Sequence, residues 1–129
     1  MKIGELALKS GFSTYTLRYY EKIGLLPTAD RKSNQRDYDQ STLVWLAFIT
    51  RLKSTAMPLS EMVVYARLRS KGAPTSAARR ALLVLHRQRV RAQIILLQDN
   101  LIVLDKKIST YSKQQREVKE NANDIRNPL

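Results

Sequence analysis

The chain has 129 residues and carries 23 Lys and Arg against 11 Asp and Glu, which gives a net charge of +12. It contains no cysteine, which excludes disulfides, thiolate metal sites and cysteine nucleophiles. Neither a signal peptide nor a long apolar run is visible, so neither secretion nor a membrane span is expected. The surplus of positive charge predicts a polyanionic partner, either nucleic acid or an anionic membrane surface.

The positive charge is concentrated in one part of the sequence. Residues 62–98 contain no Asp or Glu, whereas a solvated surface usually mixes charges of both signs. This distribution favours a surface that faces phosphate. The cations in this stretch include Arg67, Arg69, Lys71, Arg79, Arg80, Arg87, Arg89 and Arg91.

The first 24 residues predict two short helices with well-defined ends. Apolar residues at helical spacing predict a helix over residues 3–10, which Gly11 ends. Ser13 is a suitable N-cap, and Phe12 and Leu17 have the spacing of a hydrophobic staple. Gly24 suits the position after a second helix over residues 14–23, with Leu25 packing back onto Tyr20. Two such helices around a capped turn predict a helix-turn-helix.

The second of these helices has one packed side and one exposed side. Leu17 and Tyr20 lie together on the first side at 100° per residue. The opposite side interleaves aromatic and basic residues, which favours nucleic-acid binding, although a surface helix with scattered charge is the simpler alternative. The residues of this exposed side are Tyr15, Arg18, Tyr19 and Lys22.

Residues 31–39 are polar and typical of turns, and they predict a two-stranded hairpin. Asn34 can adopt the positive φ of a tight turn. Such a hairpin forms a wing that carries Arg31, Lys32 and Arg36 near its tip.

Three further helices are predicted after the wing. Residues 41–52 form the first, with Leu43, Trp45, Leu46 and Ile49 mostly in the core. Pro58 begins the next, in which Leu59, Met62, Val63 and Ala66 share one face. Residues 70–76 are a linker.

The longest predicted helix, residues 76–111, carries apolar residues in alternating steps of four and three, a coiled-coil pattern interrupted once at Arg87. It would span about 54 Å. It cannot bury its apolar seam on a small domain alone, so a second copy of the chain is the simplest partner. The tail from residue 112 is polar and is expected to fray. The predicted parts are therefore a DNA-binding domain over 1–75, a dimerisation helix over 76–111 and a tail over 112–129. The seam consists of Leu83, Val90, Ile94, Leu97, Leu101, Leu104, Ile108 and Tyr111.

The sequence does not favour an enzyme. His86 is the only histidine and lies near the coiled-coil seam, where a packed side chain is the simpler interpretation. No group of His, Asp and Glu has the spacing of metal ligands, and no glycine-rich loop suits a phosphate cofactor. Neither a metal nor a cofactor is expected.

Three segments resemble the MerR family of bacterial transcription regulators. These are IGELALKSGFSTYTLRYYEKIGLL at residues 3–26, the pattern R-x-x-N-x-R-x-Y at 31–38, and RLKSTAMPLSEM at 51–62. In addition, LHRQRVRAQIILLQDNLIVLDKKISTY at 85–111 resembles the dimerisation helix of the branch that responds to aldehydes and nitrosative stress.

The resemblance implies a mostly α fold, in which winged helix-turn-helix domains lie at opposite ends of an antiparallel coiled coil. Such a homodimer binds an inverted repeat in a promoter with an overlong spacer. It then bends and untwists the DNA so that RNA polymerase engages both promoter elements, which is a form of indirect readout. A regulator of this kind is cytoplasmic and associates with the nucleoid.

The resemblance also implies roles for individual residues. Arg18 would reach into the major groove. Tyr19, Tyr20, Arg31, Arg36 and Tyr38 would contact the DNA backbone or position the groups that do. Lys53 would add a phosphate contact. The full set of predicted DNA-binding residues is Ser13, Thr14, Tyr15, Thr16, Arg18, Tyr19, Tyr20, Lys22, Arg31, Arg36, Tyr38 and Lys53.

Three positions depart from the family pattern. Asn34 replaces the usual glycine of the hairpin turn, and Ala56 replaces glycine in the T-G-M linker. Thiol-responsive members carry a cysteine near the position of Arg51, and this chain has none. The branch's thiol chemistry therefore does not carry over to this protein.

Two other functions remain open on the sequence. The chain could be an architectural or excisionase-like DNA binder without an effector. The promoter spacing at the bound site would distinguish such a binder from a transcription regulator. It could also be a coiled-coil interaction module that binds an acidic protein. An assay of binding to duplex DNA across salt concentrations would distinguish this module from a DNA-binding protein.

Overall fold

The computed structural model describes residues 1–28, 30–32 and 35–126, without the side chains of residues 30–32, 35 and 124–126. They group into two compact units, Met1–Arg87 and Gln88–Leu129. The fold is mostly α-helical, with a winged helix-turn-helix and a long C-terminal helix, as predicted. The elements are α1 (Ile3–Ser10), α2 (Thr14–Ile23), β1 (Asp30–Lys32), β2 (Gln35–Asp37), α3 (Gln40–Ser54), α4 (Leu59–Ser70), a 3-10 turn (Ala73–Thr75) and α5 (Ser76–Arg126).

The ends of α1 and α2 are fixed by local hydrogen bonds, as predicted. Gly11 has a φ of 80°, and its N–H donates to the Ala7 carbonyl at 3.0 Å. The Ser13 hydroxyl accepts from the Thr16 N–H at 3.1 Å and so caps α2. At the other end Gly24 has a φ of 85°, a left-handed conformation that glycine adopts without strain. The turn of the helix-turn-helix is thus specified by the Gly11 and Ser13 motifs, and Gly24 sets the far end of α2.

The two strands form an antiparallel hairpin, which confirms the predicted wing. The register pairs Asp30 with Asp37, Arg31 with Arg36 and Lys32 with Gln35. The proposed turn residue Asn34 lies outside the described residues.

The wing is joined to the start of the chain. The Met1 ammonium donates to the Asp37 carboxylate at 3.0 Å and to the Tyr38 carbonyl at 2.6 Å. The Tyr38 N–H donates to the Met1 carbonyl at 2.7 Å. These bonds hold the base of the wing beside the start of α1.

The core of the first unit lies between the helix-turn-helix and helices α3 and α4. Its six fully buried large side chains each contribute about 1.5–3 kcal/mol relative to exposure. Trp45 stacks on Tyr65 with ring centroids 5.9 Å apart, and its indole N–H donates to the Leu25 carbonyl at 2.8 Å. Leu43 is only partly buried. The fully buried side chains are Leu6, Leu17, Leu25, Leu26, Leu46 and Ile49.

The α3–α4 turn is a Schellman motif around Ala56, which has a φ of 65°. The Ala56 N–H donates to the Lys53 carbonyl at 3.0 Å, and the Met57 N–H donates to the Leu52 carbonyl at 3.0 Å. Ala56 is the one non-glycine residue with a positive φ in the described part of the chain. The turn therefore keeps its geometry with alanine in the place where the family usually has glycine.

The turn between α3 and α4 also contacts the first part of α5. The Thr55 hydroxyl lies 2.7 Å from His86 Nε2, and His86 is 7% exposed. His86 is therefore packed, as the sequence indicated, but against this turn.

Helix α5 is longer than predicted. It continues past residue 111 to Arg126, because residues 112–126 contain no proline or glycine and are rich in good helix formers. The placement of domain boundaries at residues 75 and 111 stays a prediction.

Candidate nucleic-acid interface

The exposed side of α2 gathers four of the predicted DNA-binding residues. Tyr15 is 81% exposed and Tyr19 is 45% exposed, while Arg18 and Lys22 are also exposed. The predicted division of α2 into a packed and an exposed side is confirmed. Two cations and two aromatic rings on one face of a helix can contact phosphate, sugar and the edges of bases.

The start of α2 presents hydroxyl groups beside this face. Ser13 is exposed and its hydroxyl donates to Thr16 Oγ1 at 2.9 Å, while Thr14 and Thr16 are partly buried. The N–H groups of a first helical turn attract anions, and hydroxyls at this end add donors for a phosphate oxygen. These residues therefore form one edge of the α2 face.

Tyr20 is placed to hold another residue. Its ring is 4% exposed and lies edge-on to Phe12, with centroids 5.5 Å apart. Its hydroxyl accepts a hydrogen bond from Lys53 Nζ at 3.0 Å. Lys53 also lies over the Phe12 ring, 5.4 Å from its centroid. Burial of Tyr20 therefore favours a positioning role for it, with the exposed Lys53 as the group that faces solvent.

Tyr38 and Arg36 meet at a carboxylate that sequence reasoning missed. The Tyr38 hydroxyl donates to Glu21 Oε1 at 2.5 Å, and Arg36 Nε lies 2.9 Å from Glu21 Oε2. The second contact is an ion pair rather than an aligned hydrogen bond. The Glu21 side chain is 7% exposed, whereas that of Arg36 is 35% exposed. Glu21 thus connects α2 to the second strand of the wing.

The environment of Tyr38 keeps its hydroxyl protonated. Burial, and then the hydrogen bond and the charge of Glu21, raise the pKa of Tyr38 well above its usual value of 10.0. The charges of Arg36 and Arg18 act in the opposite direction. Tyr38 therefore remains a hydrogen-bond donor to Glu21 throughout the physiological pH range.

The signal for Glu21 in the sequence is weak. A glutamate on a helix rich in cations resembles an ordinary surface charge, and its partners are in another element. Only the folded wing brings Arg36 and Tyr38 to it. The backbone of Arg31 pairs with that of Arg36 in the hairpin, but the side chain of Arg31 is not among those that the structure describes.

The residues predicted to form a coiled-coil seam lie mostly in the second unit. Leu83, in the first unit, packs against the core and is only partly buried. From Ile94 to Tyr111 the seam residues are 48% to 66% exposed. They form a continuous apolar stripe on one side of the helix.

Among the described residues, no group of three or more His, Cys, Asp or Glu could hold a metal ion. No helix in the described ranges is long and apolar enough to cross a membrane.

A capped helix with exposed cations, a basic wing and a supporting helical core define a winged helix-turn-helix DNA-binding protein. A model described as "MerR HTH family regulatory protein" matches residues 1–68, and one described as "MerR, DNA binding" matches residues 43–107. The chain belongs to the MerR family of DNA-binding transcription regulators.

Two curated relatives are similar over much of the chain. The HTH-type transcriptional regulator AdhR of Bacillus subtilis is 36% identical over 91 residues, which cover 70% of this chain and 65% of AdhR. An HTH-type transcriptional regulator of Haemophilus influenzae is 35% identical over 108 residues, covering 83% of this chain and 80% of that protein.

Solved structures show the same fold. A MerR family transcriptional regulator from Listeria monocytogenes superposes with a TM-score of 0.87 at 31% identity, covering 97% of this chain and 96% of that one. HiNmlR, a MerR family regulator that lacks the sensor domain and was solved bound to promoter DNA, has a TM-score of 0.77 at 34% identity. That match covers 87% of this chain and 90% of HiNmlR.

Proposed function

We propose that this regulator binds an inverted repeat in a promoter as an antiparallel homodimer and acts by distorting the DNA. The exposed stripe on α5 carries the proposal. A contiguous stripe of large apolar side chains, each roughly half exposed or more, is typical of a surface that binds another protein.

A second copy of the same helix fits this stripe. Val90, Ile94, Leu97, Leu101 and Leu104 alternate at steps of four and three, which is the spacing of knobs-into-holes packing. An isologous pair buries the same stripe on both copies and closes the assembly.

The charges along α5 favour antiparallel pairing. Residues 76–98 contain five arginines and no acid, whereas residues 99–126 contain five acids and six cations. Parallel helices would place arginines beside arginines. Antiparallel helices place the arginine-rich part beside the part that holds every carboxylate, which lowers the repulsion.

Each copy would contribute one DNA-reading surface. Arg18 would contact base edges in the major groove, with Tyr15, Tyr19 and Lys22 around it. Ser13, Thr14 and Thr16 would contact backbone at the start of α2, and Lys53 would contact phosphate. Arg31 and Arg36 would contact phosphate from the wing, whereas Tyr20 and Tyr38 would position their neighbours.

Two rigidly joined reading surfaces can impose a shape on the duplex between their half-sites. The energy of that deformation depends on the intervening sequence and its length. RNA polymerase would then respond to the altered spacing of the promoter elements, without a required contact to this protein. HiNmlR, which is similar over most of the chain, was solved bound to promoter DNA, and this supports a promoter as the target.

Ile94→Asp tests the assembly. A carboxylate in the seam would be buried without a partner, so the variant should be monomeric by sedimentation and should lose specific binding to a full inverted repeat. Ala92→Asp is the matched control, because residue 92 lies on the far side of the helix from the seam. A monomeric Ile94→Asp protein that still protects the whole repeat would contradict the dimer.

A promoter series tests the distortion. In vitro transcription from templates with progressively shortened spacers should show that the protein alters transcription only where the spacer is overlong. Bent DNA with no effect of spacer length would instead identify an architectural DNA binder.

A further inference from the structure

We infer that Glu21 is a positioning residue that joins the recognition helix and the wing into one DNA-reading unit. The inference rests on the proposed DNA contacts. Neither a family match nor a relative's description assigns a role to this carboxylate.

A buried carboxylate at this place is electrostatically unfavourable for DNA binding. Glu21 lies on the same helix as Arg18 and Lys22, whose face is proposed to approach a polyanion. Its negative charge repels phosphate, and its burial costs solvation. Only its contacts within the protein offset these two costs.

Both of those contacts lead to the wing. One carboxylate oxygen receives the Tyr38 hydroxyl at 2.5 Å, and the other pairs with Arg36 Nε at 2.9 Å. A carboxylate held at both oxygens has a fixed orientation. Tyr38 is buried, and its backbone is bonded to Met1. A rotation of the wing relative to α2 would break the two contacts together.

The pairing also sets the direction of the Arg36 side chain. Arg36 Nε is fully buried beside Glu21, although the side chain as a whole is 35% exposed. A guanidinium has five N–H donors, and only one of them is on Nε. The other four are on the two terminal nitrogens, which would be the donors to a phosphate oxygen in the proposed complex.

These opposing effects give Glu21→Gln a distinctive signature. The variant removes one negative charge from the DNA-facing domain, so affinity for random-sequence DNA should stay the same or increase. It also loosens the wing, so affinity for the cognate repeat should fall by about tenfold, the size expected for one charge-assisted contact. The ratio of the two affinities therefore falls while non-specific binding does not.

Glu5→Gln is the matched control. Glu5 is on α1 and makes an exposed ion pair with Lys9 at 3.0 Å, so the variant has the same change in charge without the contact to the wing. It should raise both affinities slightly and leave their ratio unchanged. Glu21→Asp is a second test, because it keeps the charge but shortens the side chain. It should lower cognate binding with no gain in non-specific binding.

The measurement is fluorescence anisotropy with cognate and random duplexes at several salt concentrations, beside thermal unfolding of each variant. If Glu21→Gln raises both affinities as Glu5→Gln does, Glu21 is only an unfavourable charge and the inference is wrong. If both affinities fall in proportion to lost stability, Glu21 is only structural and the inference is also wrong. If the unaltered protein does not distinguish the two duplexes, the proposed function fails instead. Should Glu21→Gln not fold, Tyr38→Phe removes one contact alone and should reduce the ratio in the same direction.

Discussion

Ala56→Gly should stabilise the protein, although glycine usually destabilises a folded chain. Ala56 has a φ of 65°, in the left-handed region, where an L-residue other than glycine is strained by about 1–2 kcal/mol. Glycine removes this strain but adds about 0.4–1 kcal/mol of unfolded-state entropy that folding must overcome. The net gain should be about 0.5–1 kcal/mol, or roughly 2–8 °C in Tm for a unit of this size.

The natural comparison is Ala47→Gly. Ala47 is exposed in the middle of α3, where glycine should cost about 0.5–1 kcal/mol. The two variants make the same chemical change with opposite expected signs. Both are measured by thermal and urea unfolding monitored by circular dichroism. If Ala56→Gly lowers Tm to the same degree as Ala47→Gly, Ala56 is not left-handed and the account of the turn is wrong.

Three other predictions follow from the interface and the composition. Arg18→Ala should lose about 1–3 kcal/mol on the cognate site and relax base preference there; equal losses on cognate and random DNA, measured by anisotropy, would show that Arg18 contacts only phosphate. The folded state raises the pKa of Tyr38 above its unfolded value of 10.0, so its contribution to stability is complete below pH 10 and is lost as the pH rises further. The free energy of unfolding of the unaltered protein, relative to that of Tyr38→Phe, should therefore fall by about 1.4 kcal/mol per pH unit above pH 10. Urea titrations up to pH 11 measure this difference in free energy, and a difference that stays constant would contradict the prediction. Because the chain has no cysteine, diamide and nitrosothiols should leave footprinting and in vitro transcription unchanged; a reproducible switch would require another target, such as the buried Met57.

The features that sequence predicted well are those with local causes. Ser13 and Gly24 fix the ends of α2 through groups a few residues away, so their roles can be recognised without the fold. The hairpin has a similarly local signal in residues 31–39. The exposed side of α2 follows from helical periodicity alone.

The features that sequence missed depend on contacts between distant residues. Glu21 has a recognisable role only when the wing brings Arg36 and Tyr38 to it. In α4, the sequence grouped Leu59 with Met62 on one face, but Leu59 is 37% exposed, whereas Tyr65, which was not in that group, is buried against Trp45. Apolar residues are spread around α4, so periodicity cannot select the buried side, and packing against α3 decides it.

The position of Trp45 gives this protein a built-in optical probe of its first unit. It is the only tryptophan in the chain, it is 4% exposed, and the guanidinium of Arg69 lies 4.4 Å from its ring centroid. Its emission should change when the Met1–Arg87 unit opens, whereas far-ultraviolet ellipticity comes from every helix, including all of α5. A single sample therefore yields two melting curves, one from tryptophan emission and one from far-ultraviolet ellipticity. If the curves coincide, the long helix and the DNA-binding unit unfold together; if they separate, each has its own stability.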